Sequence, residues 1–288
     1  MTQEPLSGEA LFHLQHDTFG YFLNETNPHN GLVPDNTRKG SCSSIAATGL
    51  ALAAYPVGVE RKYFSRDAAV QRVLTTLRFF WNSKQGTQPD ATGYKGFYYH
   101  FLDMDSGCRA GKCEISIIDS TILIAGALAA GCYFDRKNEQ EQEIRRLADD
   151  LYRRMEWPWV LDDTGKVLMA WQPEDGLLPW CWEGYNESIL LHVLALGSPT
   201  HPLPPQTYKA FTSTYLWQEI YGYELISNYY SGPLFIHQLS HLWIDFRGIQ
   251  DDFMREKGID YFENSRRATY TQQAYAIRNP KKFRGYGE

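Results

Sequence analysis

The sequence predicts a mainly α-helical protein, a ring of paired helices (an α/α toroid) with short β-hairpins among the loops at one mouth. Three observations predict it. Nearly all-apolar, small-residue helical stretches recur among amphipathic ones, which suits inner helices buried on both sides and outer helices wetted on one. No series of strands alternates with them, so a doubly wound sheet and a β/α barrel are excluded. The residues with chemical potential sit in the connections. A simple helical bundle is the competing arrangement, and no internal repeat decides between the two.

The elements follow in order. "SGEALFHLQHDTFGYFLNET" is a helix with Leu11, Phe12, Phe19 and Phe22 at helical spacing and Ser7 as N-cap. "NPHNGLVPDN" breaks it as a loop. "SIAATGLALAAY" is a helix apolar nearly all round. "SRDAAVQRVLTTLRFFWNS" is amphipathic, opening on Ser65 with Asp67 in its first turn. Alternation and glycines in "GYKGFYYHFLDMDSGCRAGKCEIS" predict a hairpin. "IIDSTILIAGALAAGCYF" is a buried helix, and "EQEQEIRRLADDLYRRMEW" a charged surface helix with one apolar stripe. "WVLDDTGKVLMAWQ" reads as a hairpin turning at Asp163–Gly165. "ESILLHVLALG" is a short apolar helix. "PPQTYKAFTSTYLWQEI", "GPLFIHQLSHLWIDF" and "DYFENSRRATYTQQAYAIRNP" are expected to complete the helical run.

The 288 residues, 43% hydrophobic, suffice for a large core, and no linker marks a second domain, so residues 1–288 are expected to form one. A net charge of −6 argues against nucleic acid, whose phosphates call for Lys and Arg. The 8 Trp and 19 Tyr are unusual. They suit a core, and they also suit sugars, whose C–H faces stack on flat rings. No apolar run approaches the roughly 18 residues of a membrane span. The N-terminus shows no basic stretch followed by an apolar one, so no signal peptide is expected in it. The five cysteines, Cys42, Cys108, Cys113, Cys132 and Cys181, form no framework, though Cys108 and Cys113 lie close enough to pair across a short loop.

Three stretches stand out. In "WCWEGYNES", Glu183 is set among Trp180, Trp182 and Tyr185. Desolvation by such rings would keep a carboxyl protonated and fit to donate a proton. Glu187 is better explained as a helix-start acid behind an Asn186 cap. In "YYHFLDMDSGCRAGKCEISIIDS", Glu114 stands at the mouth of the buried helix and Asp119 just inside it, where an unpaired carboxylate would be costly. Tyr98 and His100 alternate on one side of the strand, and Asp103 suits either the turn or a site. In "FIHQLSHLWIDF", His237, His241 and Asp245 fall at i, i+4, i+8. That is also a metal spacing, but without the H-E-x-x-H pattern or a poised thiol no metal is expected. Hydrogen-bonded core histidines or polar cavity lining explain them better.

These stretches, with "SIAATGLALAAYPVGVER", "CEISIIDSTILIAGAL", "WEGYNES" and "GPLFIHQLSHLWIDFRGIQDDFMREKGIDYFENSRRAT", resemble the bacterial glycoamylase-like family over nearly the whole chain. That family is similar to the endo-β-1,2-glucanases (sophorohydrolases) and to the glucan-processing domain of cyclic β-1,2-glucan synthases. The resemblance implies an (α/α)6 toroid and cleavage of glucosidic bonds, best in β-1,2-glucan, with a glucoamylase-like exo-hydrolase and a non-catalytic glucan-binding module as alternatives. It implies that Glu114 and Glu183 sit at the cleft. Glu183 would then be the proton donor and Glu114 the second carboxylate. Trp180, Trp182, Tyr98 and Tyr185 would be sugar platforms. His100, Asp103, Asp119, His237 and His241 would bind the glucan. No cofactor is required, since two carboxylates run this chemistry. The resemblance also implies further toroid helices past "GYGE" and allows an exported or periplasmic location.

Overall fold

The computed structural model describes residues 7–227 and 233–287. The leader reading at residues 1–6 and the first residue of the 232–246 helix expectation lie outside them. The chain divides into two compact units. The first comprises Met1–Glu156, Ala170–Leu178 and Pro199–His201. The second comprises Trp157–Met169, Pro179–Ser198 and Pro202–Glu288. Among the described residues there are ten α-helices, and every strand is short.

The first unit opens with α1 (Gly8–Asn24), whose Ala10 amide is accepted by the predicted Ser7 cap at 3.2 Å. Strand β1 (Ser43–Ser44) leads into α2 (Ile45–Glu60), capped by Ser44. Helix α3 (Arg66–Asn82) starts on Ser65. Short strands β2 (Gly93–Tyr94), β3 (Phe97–Tyr98), β4 (Phe101–Leu102) and β5 (Ile115–Ser116) follow. Helix α4 (Ile117–Tyr133) begins behind the Ser116 cap, and α5 (Glu139–Arg153) behind Asn138. Strands β6 (Ala170–Gln172) and β7 (Gly176–Leu177) complete the unit. Pairings are antiparallel: β1 with β4, β2 with β3, and β5–β6–β7 in one sheet.

Helix α4 is an inner helix, with residues on every side buried from Ile117 to Gly131. Its sequence makes this possible, because small residues let backbones touch. A Cβ at Gly126 would lie 2.0 Å from the Gly49 carbonyl oxygen of α2, and one at Gly49 would lie 2.5 Å from the Ile122 carbonyl oxygen. Helix α5 buries only Glu141 and the stripe Ile144, Leu147, Ala148 and Leu151, the expected amphipathic period. Glu141 is 2% exposed and held by the Arg66 guanidinium through two hydrogen bonds of 2.9 and 2.7 Å. Helix α2 runs through Pro56 to Glu60, past the expected end at Tyr55. Burial of Tyr55 and Gly58, the latter under the Phe19 ring, sustains it.

The second unit contains α6 (Ser188–Leu196), α7 (Gln206–Thr212), β8 (Leu216–Ile220), β9 (Tyr223–Ser227), α8 (Phe235–Gln238), α9 (Asp252–Lys257) and α10 (Tyr261–Arg278). Its core gathers Tyr185, Ile189, Phe211, Tyr215, Ile226, Phe246, Met254, Ile259 and Tyr261. Two expectations fail here. The helix over "PPQTYKAFTSTYLWQEI" stops at Thr212, because the Thr212, Ser213 and Thr214 hydroxyls donate back to carbonyls of the last turn. The rest forms β8, which turns to β9 through Tyr221 and Gly222, both at positive φ as a primed hairpin turn requires. The helix over "PLFIHQLSHLWIDF" is α only from Phe235 to Gln238, then tightens to a 3-10 turn at Leu239–Leu242. His237, His241 and Asp245 therefore do not share one α-helical face.

Candidate active site

Each unit holds one acidic centre. In the first, the backbone around β4 lies between two segments. The His100 amide donates to the Glu114 carbonyl at 2.9 Å, and the Ile45 amide donates to the His100 carbonyl at 3.2 Å. This register places His100 Nδ1 2.8 Å from Glu114 Oε1. Asp119, in the first turn of α4, brings Oδ2 to 3.5 Å from His100 Nε2 and accepts a hydrogen bond from the Ser116 hydroxyl. The imidazole stacks on Phe101 with centroids 3.9 Å apart. Side-chain exposures of 29% for His100, 31% for Glu114 and 15% for Asp119 leave the cluster partly open.

The electrostatics follow from this geometry. Burial acts to lower the His100 pKa, but the Glu114 hydrogen bond and the charges of Asp119, Glu114 and Asp35 outweigh it and leave it raised. The His100 hydrogen bond in turn holds the Glu114 carboxyl below the usual range, against a smaller opposing effect of burial. The centre therefore favours an imidazolium between two carboxylates. The Cys113 thiol nearby is pushed up by burial and donates to the Phe101 carbonyl, so it is not activated as a nucleophile. All five cysteines are free, Cys108 and Cys113 included.

Tyr98 is fully buried. Its amide donates to Ser120 Oγ and its hydroxyl meets the Phe80 carbonyl and the Arg154 guanidinium. It has no open face for a sugar, which corrects its expected role as a platform. Asp103 is a turn builder: its Oδ1 accepts from the Ser106 amide and hydroxyl, each at 2.8 Å, and from the Asp105 amide at 3.2 Å. The Ser106 backbone bond foremost keeps its pKa low. A cleft of about 610 Å³ in the same unit takes in His29, Arg78, Phe79, Lys84 and Asp90 but none of the candidate residues.

In the second unit, the segment after the Asp162–Gly165 turn pairs with residues 180–182. The Trp182 amide donates to the Val167 carbonyl and the Met169 amide to the Trp180 carbonyl, both at 2.8 Å. That register sets Lys166 across from Glu183, and the ammonium binds Glu183 Oε1. This contact raises the Lys166 pKa. Glu183 is 49% exposed.

The rings do not enclose Glu183 as the sequence suggested. Gly184 takes a positive φ of 68°, and the chain turns so that Tyr185 enters the core. There Tyr185 stacks on Tyr261 with centroids 5.6 Å apart, fully buried and closed to a sugar. Trp180 points outward at 62% exposure, and Trp182 is half-buried. An ion pair, not aromatic desolvation, is what Glu183 meets. The N-cap of α6 is Glu187, without a side-chain capping bond, and not Asn186 as expected; Asn186 Oδ1 instead accepts from the Ser188 amide two residues on, at 3.0 Å. His237 is buried. His241 Nε2 lies 2.9 Å from Ser265 Oγ, and burial lowers its pKa. Asp245 is taken by Arg247. Among the described residues no group of three or more His, Cys, Asp or Glu side chains is arranged for a metal.

Sequence reasoning missed two residues of these centres. Ser116, three residues before Asp119, carries a capping signature that could have revealed it. Lys166 carries none, because its place beside Glu183 depends on hairpin register alone.

A mainly α scaffold carries these carboxylate centres, and comparison with known proteins shows what the chain resembles. Residues 179–288 match the family model Glycoamylase, described as "Putative glucoamylase". The exo β-1,2-glucooligosaccharide sophorohydrolase (non-reducing end) of Parabacteroides distasonis is 25% identical over the whole of this chain, which spans 42% of that relative's length. The endo-β-1,2-glucanase of Chitinophaga pinensis, solved with sophorotriose and glucose, superposes with a TM-score of 0.86 at 25% identity, over 98% of this chain and 70% of its own. A "putative glucoamylase" from Bacteroides uniformis superposes with a TM-score of 0.86 at 28% identity, over 99% of this chain and 70% of its own.

Proposed function

We propose that the chain is a glycoside hydrolase acting within chains of bacterial β-1,2-glucan. The observation that supports this most is the likeness, over nearly all of the chain, to an endo-β-1,2-glucanase solved with sophorotriose and glucose. Glu183 gives a proton to the glycosidic oxygen. Glu114 is the second carboxylate, attacking the anomeric carbon or activating the water that does. The ion pair with Lys166 sets a condition on the first role. Glu183 must leave the ammonium and take up a proton before it donates one, so an incoming sugar has to displace Lys166. Trp180 and Trp182 remain as sugar platforms, the first with an open ring face.

Incubation with β-1,2-glucan, β-1,3-glucan and starch tests this. A ladder of oligosaccharides is expected from β-1,2-glucan alone. Release of a single disaccharide would replace endo action by exo action, and shortening of none of the three polymers would remove the hydrolase reading. The Lys166–Glu183 pair itself favours a second reading, a glucan-binding module without turnover. That reading expects saccharide binding to survive Glu183→Gln while the parent protein forms no product.

A further inference from the structure

We propose that His100 is a positioning residue of the reaction: clamped between Glu114 and Asp119, it fixes the orientation of the Glu114 carboxylate without touching the sugar. This rests on the role proposed above for Glu114 and deepens it. Both ring nitrogens face an acid: Nδ1 is hydrogen-bonded with Glu114 Oε1 at 2.8 Å, and Nε2 stands 3.5 Å from Asp119 Oδ2, within ion-pair range. A neutral imidazole has one N–H, so only the imidazolium turns a positive N–H toward each of the two carboxylates. The one ring nitrogen at hydrogen-bond distance is taken by Glu114, and the response of KM in the variants below separates this role from direct sugar binding.

The clamp is built in from several directions. Phe101 sets the ring plane, and backbone bonds on both sides of His100 fix where the ring starts. The Ser116 hydroxyl, which caps α4, holds Asp119 in place. The charged groups that bear on the centre are Glu114 and Asp119, Asp35 from the loop after α1, and Arg109, which acts on Glu114. The chain of contacts thus runs from the α4 N-terminus through Asp119 and His100 to Glu114.

Two substitutions separate positioning from packing. His100→Asn sets an amide nitrogen near the place of Nδ1 and can still donate to Glu114. His100→Gln sets one near Nε2 and reaches Asp119 only. On β-1,2-glucan, the acidic limb of kcat/KM is expected to move toward neutral pH by about half a unit or more in both variants, because Glu114 loses a cation. The kcat of the Gln variant should fall about tenfold further than that of the Asn variant, with KM nearly unchanged in both. A raised KM with kcat preserved would assign His100 to the sugar instead. An unmoved acidic limb with equal losses would make it merely structural.

Melting temperature against pH is a second readout that needs no turnover. The raised His100 pKa means that the clamp stabilises fully below the unfolded-state value and is lost as pH rises through the folded one. The parent should lose stability over that interval, and both His100 variants should not; a parent without that loss overturns the clamp. Parent-like activity in Glu114→Gln would overturn the reading of Glu114 and with it the catalytic role of His100, while the melting profile still reports the clamp. An inactive Glu114→Gln with an unmoved limb in the His100 variants overturns the positioning role alone. A parent that cleaves no glucan overturns both catalytic roles.

Discussion

The two acidic centres are held by different cations, and the difference separates their chemistry. Glu114 is partly buried against a histidine that a second carboxylate also grips. Glu183 is half-exposed against a lysine at the end of a hairpin. An imidazolium fixed by stacking and by two partners is a stiff, directional donor. An ammonium on a four-carbon stem is a mobile one. The first centre is suited to a carboxylate that must stay ionised and aimed. The second is suited to one that must exchange a partner during the reaction. A contact that yields to substrate belongs where water already reaches, and a contact that must persist belongs where it is sheltered.

The largest expected effects come from breaking each centre at its carboxylate. Glu183→Gln and Glu114→Gln should each lower kcat on β-1,2-glucan by about 10²–10⁴-fold, the range for a positioned acid or base. An aryl sophoroside with a good leaving group sharpens the contrast, because its departure needs no proton. The Glu183 variant should recover most of its loss on that substrate, and the Glu114 variant should not. Recovery by both, or by neither, would erase the division of roles.

Next in size is a third acid that neither centre uses. Glu141 is 2% exposed, paired with Arg66, and its pKa is lowered to about 2, chiefly by the Arg66 hydrogen bond. Its folded value is depressed, so its contribution is present above the unfolded carboxylate range near 4.5 and lost as pH falls toward 2. Glu141→Ala leaves a sheltered guanidinium without its carboxylate and should cost about 3–5 kcal/mol in urea unfolding at pH 7. A cost below about 1 kcal/mol would show that burial of an acid in this unit carries no structural weight, and the contrast between sheltered and exposed acids would weaken with it.

Much of this was legible in the sequence where a local rule is strong. Ser7 and Ser65 cap the helices they precede as expected, and the apolar run of α4 is buried as its composition requires. Legibility ended where tertiary register decides. Tyr185 and Trp180 read alike in "WCWEGYNES", yet the turn at Gly184 sends one ring into the core while the other stays in water. Tyr98 alternates with His100 as expected, but its neighbours close over it. The hydroxyl run Thr212–Thr214 ended a helix that periodicity alone extended. Glu114 could be singled out at the helix mouth, and Asp119 as an acid in need of a partner. That both would find the same histidine could not, because the pairing depends on how two distant segments align.

The smallest structural effect is expected at Lys166, and it bears most directly on the comparison. Surface ion pairs contribute little to stability, so Lys166→Gln should move the melting temperature by no more than about 2 °C. Its effect on turnover should have the opposite sign to that of the carboxylate variants. If the ammonium must be displaced before Glu183 can act, removing it eliminates that step, and kcat/KM on β-1,2-glucan should rise. Lys166→Arg should hold the carboxylate more firmly, since the guanidinium can bind both oxygens at once, and should lower the same parameter. A fall in kcat/KM for both variants would mean that the lysine assists Glu183 instead of restraining it. The acid of the reaction would then have to be sought elsewhere.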